Sequence, residues 1–350
     1  MTKVAYLGDV HFGARNSSTQ FIEYQRKFFE NQFIPYLIEN EIKLVIQFGD
    51  LFDKRTSINT RALYCAHNMF FKPLKKHGIE LKVILGNHDI FYLESLEINS
   101  PELLLMGYDN VMVYREPTEI LVDAVAIDLI PWICKENVDQ VNKFMKESYS
   151  DYCIGHFEIA GFPHYRGHVS EGGLSPSVFK KYKNVWSGHF HTRSTNGNIS
   201  YIGTPMEITW QDSDDPRGFE VFDTDTLKTQ FVKNNYTLFH KVIYNDQLDT
   251  QYFNFDELKE KYVKVVIEGK TNPSKYNSFI QRIFDIGAYD VSIVENFQDY
   301  FGGEVQETVK LENTMDVVYS YIDSIEINSE KEDLKSLMQR TYTEAMNVTI

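Results

Sequence analysis

The sequence predicts an α/β fold for about the first 235 residues, and three observations support this. Five apolar runs rich in Val, Ile and Leu show little polar alternation, which is typical of strands buried on both faces. Helical stretches separate them, notably residues 20–40 and 58–77. The spacing of about forty residues from Asp9 to Asp50, and again to Asn87, suits strand–crossover–strand units. The five runs cover residues 3–8, 43–48, 81–85, 152–155 and 184–187.

Length and composition indicate a folded protein with more than one core. The chain has 350 residues, of which 43% are hydrophobic and 14% aromatic. That length exceeds one ordinary core and fits a large domain with one or two small ones. No segment approaches the ~20 apolar residues that a membrane-spanning helix needs. Three widely separated cysteines, Cys65, Cys134 and Cys153, form no disulfide or metal pattern, so we expect the cytoplasm and no membrane.

The charge is negative overall and unevenly placed. The net charge is −15, and residues 291–350 hold twelve Asp or Glu against four Lys or Arg. This balance opposes autonomous, nonspecific binding to a polyanion. Bound divalent cations would reverse the local field at a site, so a nucleic-acid substrate is still possible. A partner is then expected to supply much of the contact to phosphates.

The pattern divides the chain into three predicted domains: 1–237, 238–298 and 299–350. Strands flanking a helix at 274–286 predict a small α+β domain in the second part. A polar linker and two amphipathic helices close the chain, and these helices either pack on their own domain or bind a partner. Within the first domain, 111–130 and 199–232 have hairpin patterns and 155–178 is a long loop beside the site. The terminal helical faces hold Met315, Val318, Tyr319, Ile322 and Ile325, and then Leu334, Leu337, Met338, Tyr342 and Ala345.

Five clusters of metal-ligand residue types each follow one of the strand-like runs. Loops at the carboxyl ends of strands in open α/β sheets carry functional residues, so these clusters are expected to meet. Together they supply two carboxylates, one amide and four imidazoles beside a spare histidine, which suits a two-metal hydrolytic centre. The clusters are Asp9-x-His11, Gly49-Asp50-x-x-Asp53, Gly86-Asn87-His88-Asp89, Gly155-His156 and Gly188-His189-x-His191.

Each residue type has a chemical reason to be there. One carboxylate must bridge two cations about 3.5–4 Å apart, and Asp50 is the candidate. Asn87 offers a neutral oxygen that preserves the positive charge of the metals. Oxygen and nitrogen donors without thiolate suit manganese, iron or zinc better than calcium or magnesium. His88 is expected to point away from the metals and to protonate the leaving oxygen, with Asp53 orienting it.

The alternative for any single cluster is a turn or a helix cap, and only their joint occurrence favours a metal centre. The remaining histidines favour structural interpretations. His67 and His77 lie in or beside a helix, and His240 opens the second domain. His164 and His168 sit in the long loop, where solvent exposure is favoured over substrate contact. Asp89 is interpreted as a cap of the following segment.

These residues resemble the calcineurin-like metallophosphoesterase superfamily. Longer stretches are similar to the nuclease subunits of SbcCD-type double-strand-break-repair complexes, and in particular to the recombination endonuclease subunits of T-even-like phages. The resemblance covers nearly the full length. The stretches are LIPW at 129–132, WSGHFHT at 186–192, YIGTP at 201–205 and DPRGFEVFD at 215–223.

The resemblance implies a sandwich of two mixed β-sheets flanked by helices, with a capping domain at 238–298. It implies two divalent ions, manganese above all with magnesium as a substitute. One ion would be held by Asp9, His11, Asp50 and His191, and the other by Asp50, Asn87, His156 and His189. His88 would be the catalytic imidazole. Some members carry histidine at the position of Asp53.

The resemblance further implies a DNA nuclease of recombination and repair, in host cytoplasm if phage-encoded. It would act as a 3′-to-5′ exonuclease on duplex ends and an endonuclease on single strands. It would form a homodimer, with Tyr64, Asn68 and Phe71 as a contact stripe, and would bind an SMC-like coiled-coil ATPase through its terminal helices. A small-molecule phosphodiesterase, or a subunit that mainly scaffolds the ATPase, are the alternative functions.

Overall fold

The computed structural model describes residues 2–165 and 168–295, together with Ile322, Lys331, Leu334, Lys335 and Met338. The chain divides into two compact units, residues 1–296 and 297–350. Apart from those five residues, the predicted terminal helices lie outside the described residues. No helix in the described ranges is long and apolar enough to cross a membrane.

The strands of the described ranges form two large sheets, one small sheet and one hairpin. The first sheet has the order β14-β13-β1-β2-β3-β4 and the second β11-β12-β10-β7-β6-β5. The small sheet is β15-β16-β17, and β8 pairs with β9. The strands are β1 (Lys3–Leu7), β2 (Leu44–Gln47), β3 (Glu80–Ile84), β4 (Val111–Tyr114), β5 (Thr118–Val122), β6 (Val125–Ile130), β7 (Tyr152–His156), β8 (Pro163–Tyr165), β9 (His168–Val169), β10 (Asn184–Gly188), β11 (Ser194–Asn196), β12 (Ile199–Tyr201), β13 (Gly218–Asp223), β14 (Lys228–Lys233), β15 (Phe239–Tyr244), β16 (Tyr262–Ile267) and β17 (Asp290–Glu295).

Both large sheets are mixed, which confirms the predicted fold class. β1 to β4 run parallel, with β13 antiparallel to β1. In the second sheet β6, β7, β10 and β12 run parallel, with β5 and β11 antiparallel at its edges. The predicted hairpin segments are confirmed in part. The hairpin β5–β6 lies within 111–130 and β13–β14 within 199–232, whereas β4 pairs parallel with β3 and β12 pairs with β11, which precedes residue 199. The long loop 155–178 carries the short β8–β9 hairpin.

The two large sheets pack face to face, and helices cover their outer faces. Side chains alternate along a strand, so in β1 Tyr6 points into the core between the sheets and Leu7 into the core below the helices. Tyr6 packs against Phe48, Trp186 and Phe222 at ring-centroid distances of 5.3–5.6 Å. This buried core fixes the strand ends that carry the ligand clusters.

Two long helical runs cover the first sheet, and each contains a wide turn before a proline. The first run comprises Thr19–Phe28, a π-helical turn at Phe29–Phe33 and Ile34–Glu39. The second comprises Thr60–Ala66, a π-helical turn at His67–Phe71 and Lys72–Lys76. Proline removes an N–H donor and crowds the preceding turn, and the wide turn accommodates it. The helices therefore continue through Pro35 and Pro73.

The wide turn in the second run corrects one predicted surface. Phe71 was expected on an exposed stripe with Tyr64 and Asn68. It is fully buried instead and packs against Phe12 and Phe70. The π-helical turn adds a residue to the helical repeat and rotates Phe71 towards the core. Only Tyr64, which is 67% exposed, is a prominent apolar surface residue of that stripe.

The segment after residue 238 has its own sheet and core. β15, β16 and β17 are parallel, and the helix Pro273–Asp285 connects β16 to β17 close to where a helix was predicted. Its core includes Tyr244, Phe279 and Ile283. Further short helices of the chain are Ser100–Leu105 and Val138–Glu147.

Candidate metal centre

The candidate ligands lie at the carboxyl ends of parallel strands in both large sheets. Asp9 and His11 follow β1, Asp50 follows β2, and Asn87 follows β3. In the second sheet His156 ends β7, while His189 and His191 follow β10. Because the two sheets pack face to face, these ends meet at one edge of the sandwich. The structure thus brings all seven predicted ligand residues together.

The ligand atoms converge in two groups. Asp9, His11 and His191 form one group, and Asp50, His156 and His189 form the other. Within each group, the ligand atoms lie within 4.8 Å of one another. Asn87 belongs with the second, since its Oδ1 is 3.0 Å from His156 Nε2 and 2.9 Å from His189 Nδ1.

Asp50 lies between the two groups. Its Oδ2 is 3.8 Å from His11 Nε2 and 3.4 Å from His156 Nε2. Its Oδ1 accepts a hydrogen bond of 2.8 Å from the main-chain N–H of His88. One carboxylate oxygen is therefore held by the backbone while the other is directed at both groups. This is the arrangement that a bridging ligand requires.

The electrostatics of the cluster fit divalent cations. His11 Nε2 and His191 Nε2 are only 3.1 Å apart in a buried site. Burial lowers the pKa of His11 well below its usual value and that of His191 to about 4, so both rings are neutral with lone pairs available. Asp9 Oδ1 is a buried acceptor without a hydrogen-bond partner. Metal ions stabilise such an acceptor and the converging lone pairs of the two imidazoles.

Main-chain contacts fix the orientation of the ligands. His156 Nδ1 is 2.7 Å from the carbonyl oxygen of Phe48, to which it donates, so Nε2 is left for a metal. The main-chain N–H of His189 donates to Asp9 Oδ2 at 2.9 Å. Two glycines leave room for these carboxylates. A Cβ at Gly86 would lie 2.3 Å from Asp50 Oδ1, and one at Gly188 would lie 2.5 Å from Asp9 Oδ1.

Two buried polar residues hold the ligand loops together, and sequence reasoning did not assign them this role. Asp89 accepts from the N–H groups of Leu51 and Gly86, both at 2.9 Å, and so joins the loops after β2 and β3. Gln47 donates to the carbonyl of Gly8 at 3.3 Å and joins the loops after β1 and β2. Asp89 is therefore a brace between loops and not simply a cap. A polar residue within an otherwise apolar run was the available signal for Gln47.

A buried arginine holds the loop that carries His191. Arg217 donates to the carbonyl oxygen of His191 and to Thr204 Oγ1. Its other terminal nitrogen contacts Asp212 Oδ1 at 2.9 Å and Asp215 Oδ2 at 2.8 Å. Thr204 and Arg217 belong to the YIGTP and DPRGFEVFD stretches. Those stretches therefore position a candidate ligand from a distance.

His88 stands beside the first group without joining it. Its ring lies edge-on to that of His11, with centroids 5.0 Å apart. Its Nδ1 is 2.5 Å from the main-chain carbonyl oxygen of Asp53. A carbonyl only accepts, so Nδ1 carries a proton and Nε2 is the nitrogen left for other chemistry. Asp53 thus contacts His88 through its backbone, while its carboxylate lies 3.6 Å from His11 Nδ1.

Other residues fall outside the ligand set. His67 stacks on Tyr108 with rings 5.5 Å apart, which agrees with its predicted packing role. The side chains of His164 and His168 lie outside the described part of the structure. Trp132 forms a wall beside the second group, with its ring 5.1 Å from His189 and 5.9 Å from His156. Its place in LIPW was the only sequence signal.

The fold and the paired ligand groups define a metal-dependent phosphodiester hydrolase. The family model of the calcineurin-like phosphoesterases matches residues 2–269, and the chain belongs to that family. Family members bind divalent metals, and the ligand groups described above fit such ions.

Comparison with individual proteins identifies relatives of nearly the same length. The chain is 35% identical over 345 residues to "Exonuclease subunit 1" of Enterobacteria phage T4, covering 98% of this chain and 99% of the relative. It is 22% identical over 360 residues to the "DNA double-strand break repair protein Mre11" of Sulfurisphaera tokodaii, covering 95% and 90%. Identity to the protein of that name from Saccharolobus solfataricus is 25% over 243 residues, covering 67% and 61%.

Proposed function

We propose that this protein is a manganese-dependent DNA nuclease acting in recombination and repair. It degrades duplex ends as a 3′-to-5′ exonuclease and cuts single strands as an endonuclease. The observation that carries this proposal is the convergence of two ligand groups on one shared carboxylate, Asp50, in a chain similar over nearly its full length to an exonuclease subunit. Manganese is favoured because the donors are oxygen and imidazole nitrogen without thiolate.

The two ligand groups support a proposed set of ligands for each ion. One ion would be held by Asp9, His11, Asp50 and His191. The other would be held by Asp50, Asn87, His156 and His189. When bound, the ions supply the positive charge that activates the nucleophile and stabilises a phosphate gaining charge. The protein residues hold the ions at fixed positions, and burial lowers the pKa of His11 and His191 so that protons compete less for these two ligands.

His88 acts as the general acid in this proposal. Its Nδ1–H is held by the Asp53 carbonyl, so the ring presents Nε2 to the leaving oxygen. An imidazole titrates near neutrality and can therefore carry the proton that the departing oxygen needs. Its ring lies 5.0 Å from that of His11, which supports a role next to the proposed metals and not as a ligand. Asp53 is thus a positioning residue, acting through its main chain.

The protein works with partners. Its net charge of −15 opposes unaided binding to DNA, so an SMC-like coiled-coil ATPase that binds residues 299–350 is expected to supply part of the phosphate contact. A second copy is expected on the face of the two helical runs. Tyr64 and Ile38 are exposed there by 67% and 42%, beside a groove lined by Ile34, Met69 and Pro73.

Cleavage of end-labelled DNA tests the proposal. Purified protein is incubated with 3′- or 5′-labelled duplexes and with a single strand, with manganese, with magnesium and with chelator. We expect manganese-dependent shortening from 3′ ends and internal cuts in the single strand. Hydrolysis of bis(p-nitrophenyl) phosphate without any cleavage of DNA would instead favour a small-molecule phosphodiesterase.

A further inference from the structure

A cavity of about 250 Å³ opens beside the candidate metal centre. It lies between the loop that follows His11 and the loop that follows Asp50. Phe12, next to the candidate ligand His11, is one of its lining residues. Its wall includes Asp53, whose carbonyl holds His88. The cavity therefore adjoins the residue that protonates the leaving oxygen in the proposed function.

The lining of the cavity suits a neutral ring with polar edges. Ile58 offers apolar surface, and Asn16, Ser57 and Asn59 offer uncharged polar groups. The lining holds one carboxylate and one ammonium, Asp53 and Lys54, so it carries no net charge. A phosphate would meet the repulsion of Asp53 without an excess of cations.

Hydrogen bonds within the lining occupy the side-chain oxygens of two asparagines. Asn59 Oδ1 accepts from the main-chain N–H groups of Arg61 and Ala62, so its amide N–H groups are left to donate. Asn16 Oδ1 accepts from Lys54 Nζ at 3.3 Å, so the amide N–H groups of Asn16 are also left to donate. Amide side chains are suited to reading the donors and acceptors on the edge of a base.

The volume of the cavity limits the size of the ligand that it can bind. It falls just below the ~300–1,000 Å³ of pockets for drug-sized ligands, which suits one base and not a longer stretch of chain. Two of its lining residues, Asn16 and Ser17, have left-handed backbone, both with φ of 55°. Residues in this left-handed region carry strain, and such strain persists where the surrounding structure holds it, often at ligand sites.

We propose that this cavity binds the base of the nucleotide whose oxygen leaves during cleavage. This inference rests on the proposed nuclease function. His88 protonates that leaving oxygen, and the cavity shares Asp53 with His88, so the nucleoside attached to the oxygen lies within reach. In cleavage from a 3′ end this is the penultimate nucleotide. Its base leaves the stack and enters the cavity, as happens when enzymes act on extruded bases.

The test combines changes in the DNA with changes in the protein. Duplexes carry a tetrahydrofuran abasic residue at the penultimate or at the terminal 3′ position. The variants are Ser57→Phe, which fills the cavity from an exposed position, and Asn16→Asp, which keeps a residue tolerant of left-handed backbone. Ser274→Phe, on the exposed first turn of the helix Pro273–Asp285, is the matched control.

In wild-type protein, removal of the penultimate base should lower kcat/KM about tenfold, the effect of losing a few hydrogen bonds and a packed ring. In Ser57→Phe and Asn16→Asp the intact substrate should be cleaved at this lower rate, with no further loss on removal of the base. Ser274→Phe should behave as wild type. Hydrolysis of bis(p-nitrophenyl) phosphate should be unchanged in all of them.

Two results would overturn the inference. One is an equal effect of base removal in wild type and in both cavity variants, which would place the base elsewhere. The other is loss of bis(p-nitrophenyl) phosphate hydrolysis in both variants, which would make the cavity part of the metal centre. Failure of the wild type to cleave any DNA with manganese would contradict the proposed function itself, and is distinguishable from both.

Discussion

Replacement of Arg217 by methionine tests how the His191 loop is held. Methionine has a similar length but cannot donate. The change removes the bonds to the His191 carbonyl and to Thr204, and leaves the buried carboxylate of Asp212 and the partly buried one of Asp215 without their cation. Breaking a buried ion pair costs about 3–5 kcal/mol of unfolding free energy. Loss of a contact that orients a metal ligand typically lowers metal affinity or activity about 10–100-fold.

Two assays separate these effects. Urea unfolding of the metal-free protein measures the loss of stability, and calorimetric titration with manganese measures the loss of affinity. Adding Asp212→Asn to Arg217→Met removes one stranded charge and should restore part of the stability without restoring metal affinity. Lys183→Met removes an exposed pair with Asp151 and should leave both quantities unchanged. Normal manganese affinity in Arg217→Met would show that Arg217 does not position His191.

Four further predictions concern the proposed roles. His88→Ala should lower kcat about 10²–10⁴-fold at unchanged manganese binding, and equal loss of metal would contradict its role as the acid. Asp50→Ala should strip the metals, whereas two ions per chain in elemental analysis would contradict a bridging role. Deletion of residues 314–350 should abolish co-purification with the ATPase and spare manganese-dependent cleavage; undiminished co-purification would contradict the docking proposal. Tyr64→Asp should halve the mass measured by light scattering, and an unchanged dimer would exclude that face.

The sequence predicted the strands and the ligand residues well because both depend on local patterns. A run of Val, Ile and Leu followed by a polar ligand type identifies the end of a buried strand, as for Asp9 after β1. The pairing of strands is set by the same runs. The convergence of Asp50 with His189 then follows from two sheets packed face to face.

Contacts between distant segments were not predictable in this way. Asp89, Gln47 and Arg217 bind loops that are 38, 39 and 26 positions away in sequence, and each resembles an ordinary polar residue in sequence. The predicted exposure of Phe71 was wrong for a different reason. Its helical phase was read at 3.6 residues per turn, and the π-helical turn before Pro73 changed that phase.

The left-handed residues Arg15, Asn16 and Ser17 also lacked a signal, apart from the tolerance of asparagine for that conformation. Their backbone is held by tertiary contacts. Arg15, for example, lies over the rings of Phe239 and Tyr262 at 5.2 and 4.9 Å. A cavity beside such a segment can therefore be recognised only from the three-dimensional structure and not from the sequence.

Anomalous scattering from manganese-soaked crystals locates bound ions directly. Two peaks about 3.5–4 Å apart are expected. One should lie among Asp9, His11 and His191, the other among Asn87, His156 and His189, with an oxygen of Asp50 bound to both. A single peak, or two peaks without Asp50 between them, would contradict the proposed two-metal centre.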